Sequence, residues 1–137
     1  MVPITGQRDP AQIGILIVDD EPMIAMSLED YFRDLGFSRI FCAGSLVEAS
    51  KIMATEMPDL AILDVNVGQS LVFPLADELR SRGIPFFFSS GRGTENFPDQ
   101  WKTHPFVPKP ASTAALSSTL DRMGFMPDRP PVKSGQP

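Results

Sequence analysis

GILIVDDEP, residues 14–22, is an apolar run of strand length that stops abruptly on two carboxylates. An uninterrupted run without polar alternation is what a strand covered on both faces requires, and Ile13–Val18 is rich in β-branched residues. Pro22, just past the acids, suits the first turn of a helix. The stretch therefore reads as a buried strand, a polar rim and a helix start. Three later runs end the same way: LAILDVN (60–66) on Asp64, PFFFSSG (85–91) on Ser90, and PFVPKP (105–110) on Lys109.

The segments between these runs have helical patterning. Met23, Ile24, Met26, Leu28, Tyr31, Phe32 and Leu35 recur at roughly helical spacing, and Gly36 stops them. A short strand is expected over Arg39–Ala43. Ser45 with Glu48 three residues later forms a capping box for a helix ending before Pro58. Gly68–Ser70 reads as a turn, Val72–Arg82 as a helix closed by Gly83, and Ile84–Ser89 as a strand. Pro108 confines the short strand Phe106–Pro108 to a sheet edge, because proline lacks a ladder donor. Ser112 caps a last helix running to about Met123, with Gly124 beyond it. Arg92–His104 departs from the pattern. It holds Gly93 and Pro98, with Pro105 beyond, and only Phe97 and Trp101 repeat at helical spacing, so a short or irregular fourth helix is expected.

Five alternations of strand and helix predict an α/β three-layer sandwich, a (βα)5 fold with a parallel sheet between helices. In a flavodoxin-like strand order of 2-1-3-4-5, ligands bind beyond the carboxyl ends of strands 1 and 3, where the order reverses. Those strands end in Asp19–Asp20 and Asp64, while strands 4 and 5 bring Ser90 and Lys109 to the same rim. Ser90 is preferred over Ser89 because it adjoins Gly91 and because strand neighbours point to opposite faces. Three converging carboxylates repel one another unless a cation intervenes. A hard ion with oxygen ligands, Mg²⁺ or Mn²⁺, answers that need. With Asp64 as nucleophile, Lys109 as counter-charge and Ser90 as hydroxyl donor, the set suits phosphoryl chemistry.

Composition narrows the alternatives. At 137 residues with net charge −5 and no basic run, the chain is expected to be one domain that does not bind nucleic acid. The lone Cys42 requires no oxidising compartment and reads as a small buried hydrophobe. Without a signal-like or membrane-spanning run, no membrane association and a cytoplasmic address are expected. The methionines fall at helical core spacing and imply no cofactor; His104, without a partner motif, reads as structural or exposed. Residues 1–12 read as a loose arm, 13–124 as the domain and 125–137 as a Pro-rich disordered tail.

VDDEP, LDVN, SSG and KP, in this order and spacing, resemble the response-regulator receiver domains of two-component signalling, over about residues 13–124. The resemblance implies that Asp64 accepts phosphate from a histidine kinase or histidine phosphotransfer protein. It also implies a metal held by Asp20, Asp64 and the backbone carbonyl of Asn66, with Asp19 acting mostly through water. Ser90 and Lys109 would contact the phosphate, and the Lys109–Pro110 peptide would be cis. Phe106 stands where receivers carry a switch aromatic, commonly Tyr, so its switching with Ser90 would be steric; Asn66 and Arg92 are candidates for tuning phosphate lifetime. The stretch to Gly91 is similar to stand-alone receivers with a Phe-Ala-Thr-Gly signature, here replaced by Phe88, Ser89, Ser90 and Gly91. The expected function is a phosphorylation switch without an output domain. It would act through an unknown downstream protein, as a monomer or a phosphorylation-dependent dimer, with no enzymatic turnover beyond its own aspartyl phosphate. Two alternatives are a small aspartyl-phosphate phosphatase of haloacid-dehalogenase type and a phosphate-independent interaction module. The phosphatase needs a second acid two residues after the nucleophile, where this chain has Asn66.

Overall fold

The structure, a computed structural model, describes residues 9–127. Strand β1 (Gly14–Val18) leads to α1 (Pro22–Asp34), β2 (Arg39–Ala43), α2 (Leu46–Glu56) and β3 (Leu60–Asp64). A small hairpin of β4 (Asn66–Val67) and β5 (Ser70–Leu71) precedes α3 (Phe73–Ser81). Strands β6 (Phe86–Ser90) and β7 (Phe106–Pro108) and helix α4 (Thr113–Met123) complete the chain. The main sheet is parallel with order β2-β1-β3-β6-β7, the expected flavodoxin-like order once the hairpin is set aside.

Side-chain alternation along the strands builds two cores. Leu16, Val18, Ala61, Leu63, Phe86 and Phe88 face α2 and α3, while Ile15, Ile17, Leu60, Ile62, Phe87 and Val107 face α1 and α4. Both faces are covered, which is why the central strands read as unbroken apolar runs.

The caps follow local chemistry. The Ser45 hydroxyl accepts from the Glu48 N–H at 3.1 Å, and Glu48 Oε1 reaches back to the Gly44 N–H at 2.7 Å. Ser112 accepts from the Ala115 N–H at 3.0 Å, and Gly124 closes α4 with φ of 83°. Ser112→Ala should lower stability by about 1 kcal/mol, read as a shifted urea midpoint at unchanged slope.

Several expectations need correction. Cys42 is exposed on β2, which pairs with a neighbour on one side only, and its thiol lies 3.7 Å from Glu29 of α1. Met23 and Met26 are also exposed, since α1 buries the stripe Ala25, Leu28 and Phe32; Met53 alone of the helical set is fully buried. The fourth helix, by contrast, is short and irregular as expected, a single 3-10 turn, Asp99–Trp101. Its segment is held by packing: Phe97 and Trp101 are buried among Phe73, Phe86 and Phe88, and Arg80 lies over the indole at 4.5 Å. His104 stacks on Phe86 and its Nε2 meets the Phe86 carbonyl at 2.8 Å, the structural role expected of it.

The expected arm and tail lie mostly outside the described residues. Of their described parts, Pro10–Gln12 forms a 3-10 turn capped by Asp9, and Phe125 and Met126 pack against the α1–α4 core. No helix among the described residues is long and apolar enough to cross a membrane.

Candidate functional site

Sheet register brings the strand ends together. Val18 pairs with Leu63 and Asp64 with Ser89, which sets Asp19 and Asp64 side by side one residue below Ser90. Ser90 pairs with Pro108, so Lys109 is the next residue on the rim. These ends open into a pocket of about 450 Å³ lined by Asp20, Asp64, Asn66, Ser90, Arg92 and Lys109, with Glu21 at its edge. Ser89 is buried and does not line it. Phe106 is set back from the pocket, half-buried on the α2–α3 side.

Charge in the pocket is uneven. Lys109 Nζ lies 3.0 Å from Asp19, 3.3 Å from Asp64 and 3.5 Å from Glu21. Arg92 lines the pocket but makes no ion pair among the described residues. Burial, then the charge of Asp19, pushes the Asp64 carboxyl up from 3.8 to about 6; Lys109 and a hydrogen bond from the Asn66 backbone pull it partly back. Burial would lower the Lys109 ammonium, but the hydrogen bond and charge of Asp19, followed by Asp64, outweigh it and hold its pKa above the ordinary value.

Four acids around one paired ammonium leave the site short of positive charge. Asp19, Asp20 and Asp64 each offer a carboxylate oxygen within 4.8 Å of the others. Hard oxygen donors in that arrangement fit a divalent cation such as Mg²⁺. Asp19 and Asp64 are both anchored by Lys109 and by a backbone N–H, Asp19 Oδ1 accepting from the Glu21 N–H at 2.9 Å and Asp64 from the Asn66 backbone.

Two features were not read from the sequence. Glu21 shares Lys109, and the acid following Asp19–Asp20 was the available signal. The β4–β5 hairpin, whose Val67–Ser70 pairing closes over Gly68 with φ of 63°, forms one wall beside Asn66. The Lys109–Pro110 peptide is cis.

Comparison with known proteins gives this geometry a family. Residues 15–121 match the model of the response regulator receiver domain. The phyllosphere-induced regulator PhyR of Methylorubrum extorquens is 31% identical over 116 residues, covering 81% of this chain and 43% of that protein. Response regulator Rre1 of Synechocystis is 28% identical over 59% of this chain and 37% of its own length. The chain thus spans less than half the length of these curated relatives. Among solved structures, SdrG from Sphingomonas melonis Fr1 is 33% identical with a TM-score of 0.71, covering 81% of this chain and 95% of that one. The receiver domain of Erythrobacter litoralis PhyR is 27% identical with a TM-score of 0.70, over 88% of this chain and 95% of that one. By its fold, its acidic pocket and this match, the chain belongs to the response regulator receiver domain family of two-component signalling.

Proposed function

We propose that Asp64 accepts a phosphoryl group from a histidine kinase or a histidine phosphotransfer protein, and that the resulting charge alters protein–protein contacts. The observation that carries this reading is the Asp64 carboxylate, buried beside Asp19 yet opening into a pocket with Lys109 Nζ at 3.3 Å. At neutral pH this carboxylate is ionised and can attack. Its oxygen forms the new O–P bond while the P–N bond to the donor imidazole breaks, leaving the electron pair on the ring nitrogen. Lys109 neutralises charge on the phosphoryl oxygens, and the Ser90 hydroxyl donates to one of them. Asp20, Asp64 and the Asn66 backbone carbonyl would hold Mg²⁺ or Mn²⁺, with Asp19 acting through water. The ion would supply positive charge that offsets the negative charge of the carboxylates and the incoming phosphoryl group. Arg92 and Asn66, on the open side of the pocket, tune access of water to the aspartyl phosphate and so its lifetime. Phe106 is the switch aromatic that reports the change in Ser90, and the assembly acts as a monomer or a phosphorylation-dependent dimer. A haloacid-dehalogenase-type general acid has no counterpart, since Asn66 occupies its position and lines the pocket.

Incubation with acetyl phosphate and Mg²⁺ should add one phosphate by intact mass, and a chelator should prevent it. A wild-type chain that never gains the phosphate, even from a set of purified histidine kinases, would remove the acceptor role.

A further inference from the structure

We propose that Phe97 couples Ser90 to Phe106 by moving its ring between its present aromatic seat and an adjoining cleft; this rests on the phosphoacceptor reading of Asp64. Phe97 belongs to the irregular segment after β6, and it is buried although its neighbours Asn96 and Pro98 are exposed. Its ring now sits 5.3 Å from Phe73, 5.2 Å from Phe88 and 6.0 Å from Phe106. Beside it lies a cleft of about 200 Å³ with apolar lining from Val65, Leu71 and Phe73 and polar lining from Asn66, Ser90, Arg92 and Asn96. An apolar cavity of about 150 Å³ holds a benzene molecule, so this cleft has room for a phenyl ring. Phe73 borders both seats, so a ring that swings into the cleft keeps part of its burial. The vacated seat adjoins Phe106, which is only half-buried and gains burial by filling it.

Ser90 is positioned to drive the exchange. Its hydroxyl oxygen accepts from the Arg92 N–H at 3.1 Å. A hydroxyl carries one donor and two acceptor positions, so Ser90 can donate to a phosphoryl oxygen while keeping that bond. Drawn toward the new charge, it moves Arg92 and Gly93 with it, and these residues line the cleft. Gly93 has φ of 77°, and no helix spans Gly91–Pro98, so the segment shifts without breaking a helical ladder. Closely packed rings favour two discrete arrangements over a graded deformation. Phe97 is therefore a positioning residue, acting through Phe106 and not on the phosphate.

The test uses beryllofluoride with Mg²⁺ as the phosphoryl mimic and NMR of the full chain. In wild type, the amide signals of Asp64 and Ser90 and the ring signals of Phe97 and Phe106 should all shift. Phe97→Leu keeps an apolar side chain but removes the ring. Leu71→Trp fills the cleft from the exposed hairpin and leaves Phe97 intact. Both variants should retain the Asp64 and Ser90 shifts and lose the Phe106 shift. A Phe106 response of wild-type size in either variant overturns the relay, as does a wild type in which Phe106 responds while Phe97 stays still. A wild type whose Asp64 and Ser90 signals ignore the mimic instead overturns the phosphoacceptor reading, and the relay with it.

Discussion

Asp64→Asn will take up no phosphate from acetyl phosphate and Mg²⁺, yet at pH 7 without divalent cations it will be more stable than wild type. The first half follows from chemistry, because a carboxamide oxygen is a poor nucleophile and forms no stable acyl phosphate. The second follows from the charge balance of the pocket. The carboxyl of Asp64 is pushed up from 3.8 to about 6, by burial first and then by Asp19, so the folded state binds its proton more tightly than the unfolded chain does. Wild-type stability therefore falls as pH rises from near 4 through about 6, and the penalty is complete above that window. A displacement of about two pH units corresponds to about 3 kcal/mol. That displacement is already net of the 3.3 Å contact with Lys109, so a gain of up to about 3 kcal/mol is expected at pH 7, shrinking to nothing below about pH 4. Urea unfolding of both proteins across that range measures it. Equal phosphate uptake by the variant would move the acceptor elsewhere. A variant less stable than wild type at pH 7 would mean that the Lys109 pairing outweighs burial and the repulsion from Asp19.

Phe88→Ala should cost about 3–5 kcal/mol, a large part of the 5–15 kcal/mol that holds a domain together. Phe88 is fully buried at the centre of β6, and its ring lies within 5.2–5.7 Å of Phe73, Phe86, Phe97, Trp101 and His104. Truncation removes the shared partner of the side chains that hold the segment between β6 and β7, which has little regular hydrogen bonding to fall back on. Collapse around the gap is limited because β6 is hydrogen-bonded on both sides. The expected signature is a urea midpoint far below wild type, together with faster amide exchange over 92–104. A cost below about 1 kcal/mol would show that the aromatic cluster repacks easily and does not brace the segment.

Much of the fold was visible in hydropathy because a parallel strand covered on both faces has no polar alternation. Strands 1, 3 and 6 announced themselves, and the polar residue ending each run marked the sheet rim. Ser45 and Ser112 were legible as caps because the bond they make is local, three residues along the chain. The exposure of Cys42 and Met23 was not legible. Whether a partner covers an edge strand or the outer flank of α1 depends on elements far away in sequence. The segment from Arg92 to His104 resisted reading for the same reason. Its Gly93 and Pro98 ruled out a regular helix, but its actual path is set by where Phe97, Trp101 and His104 find aromatic partners.

The pocket divides along the same line. The sequence by itself determined which residues stand at the rim, Asp19, Asp20, Asp64, Ser90 and Lys109, because strand periodicity and parallel connectivity leave few other places for them. Only the tertiary structure decided how they are paired. Lys109 is shared among Asp19, Asp64 and Glu21, Ser90 holds the Arg92 backbone, and a cleft lined by both that serine and Phe97 lies beside them. Periodicity is a property of neighbours in the chain, whereas ion pairing, burial and cavity shape depend on distances between residues that folding alone brings together.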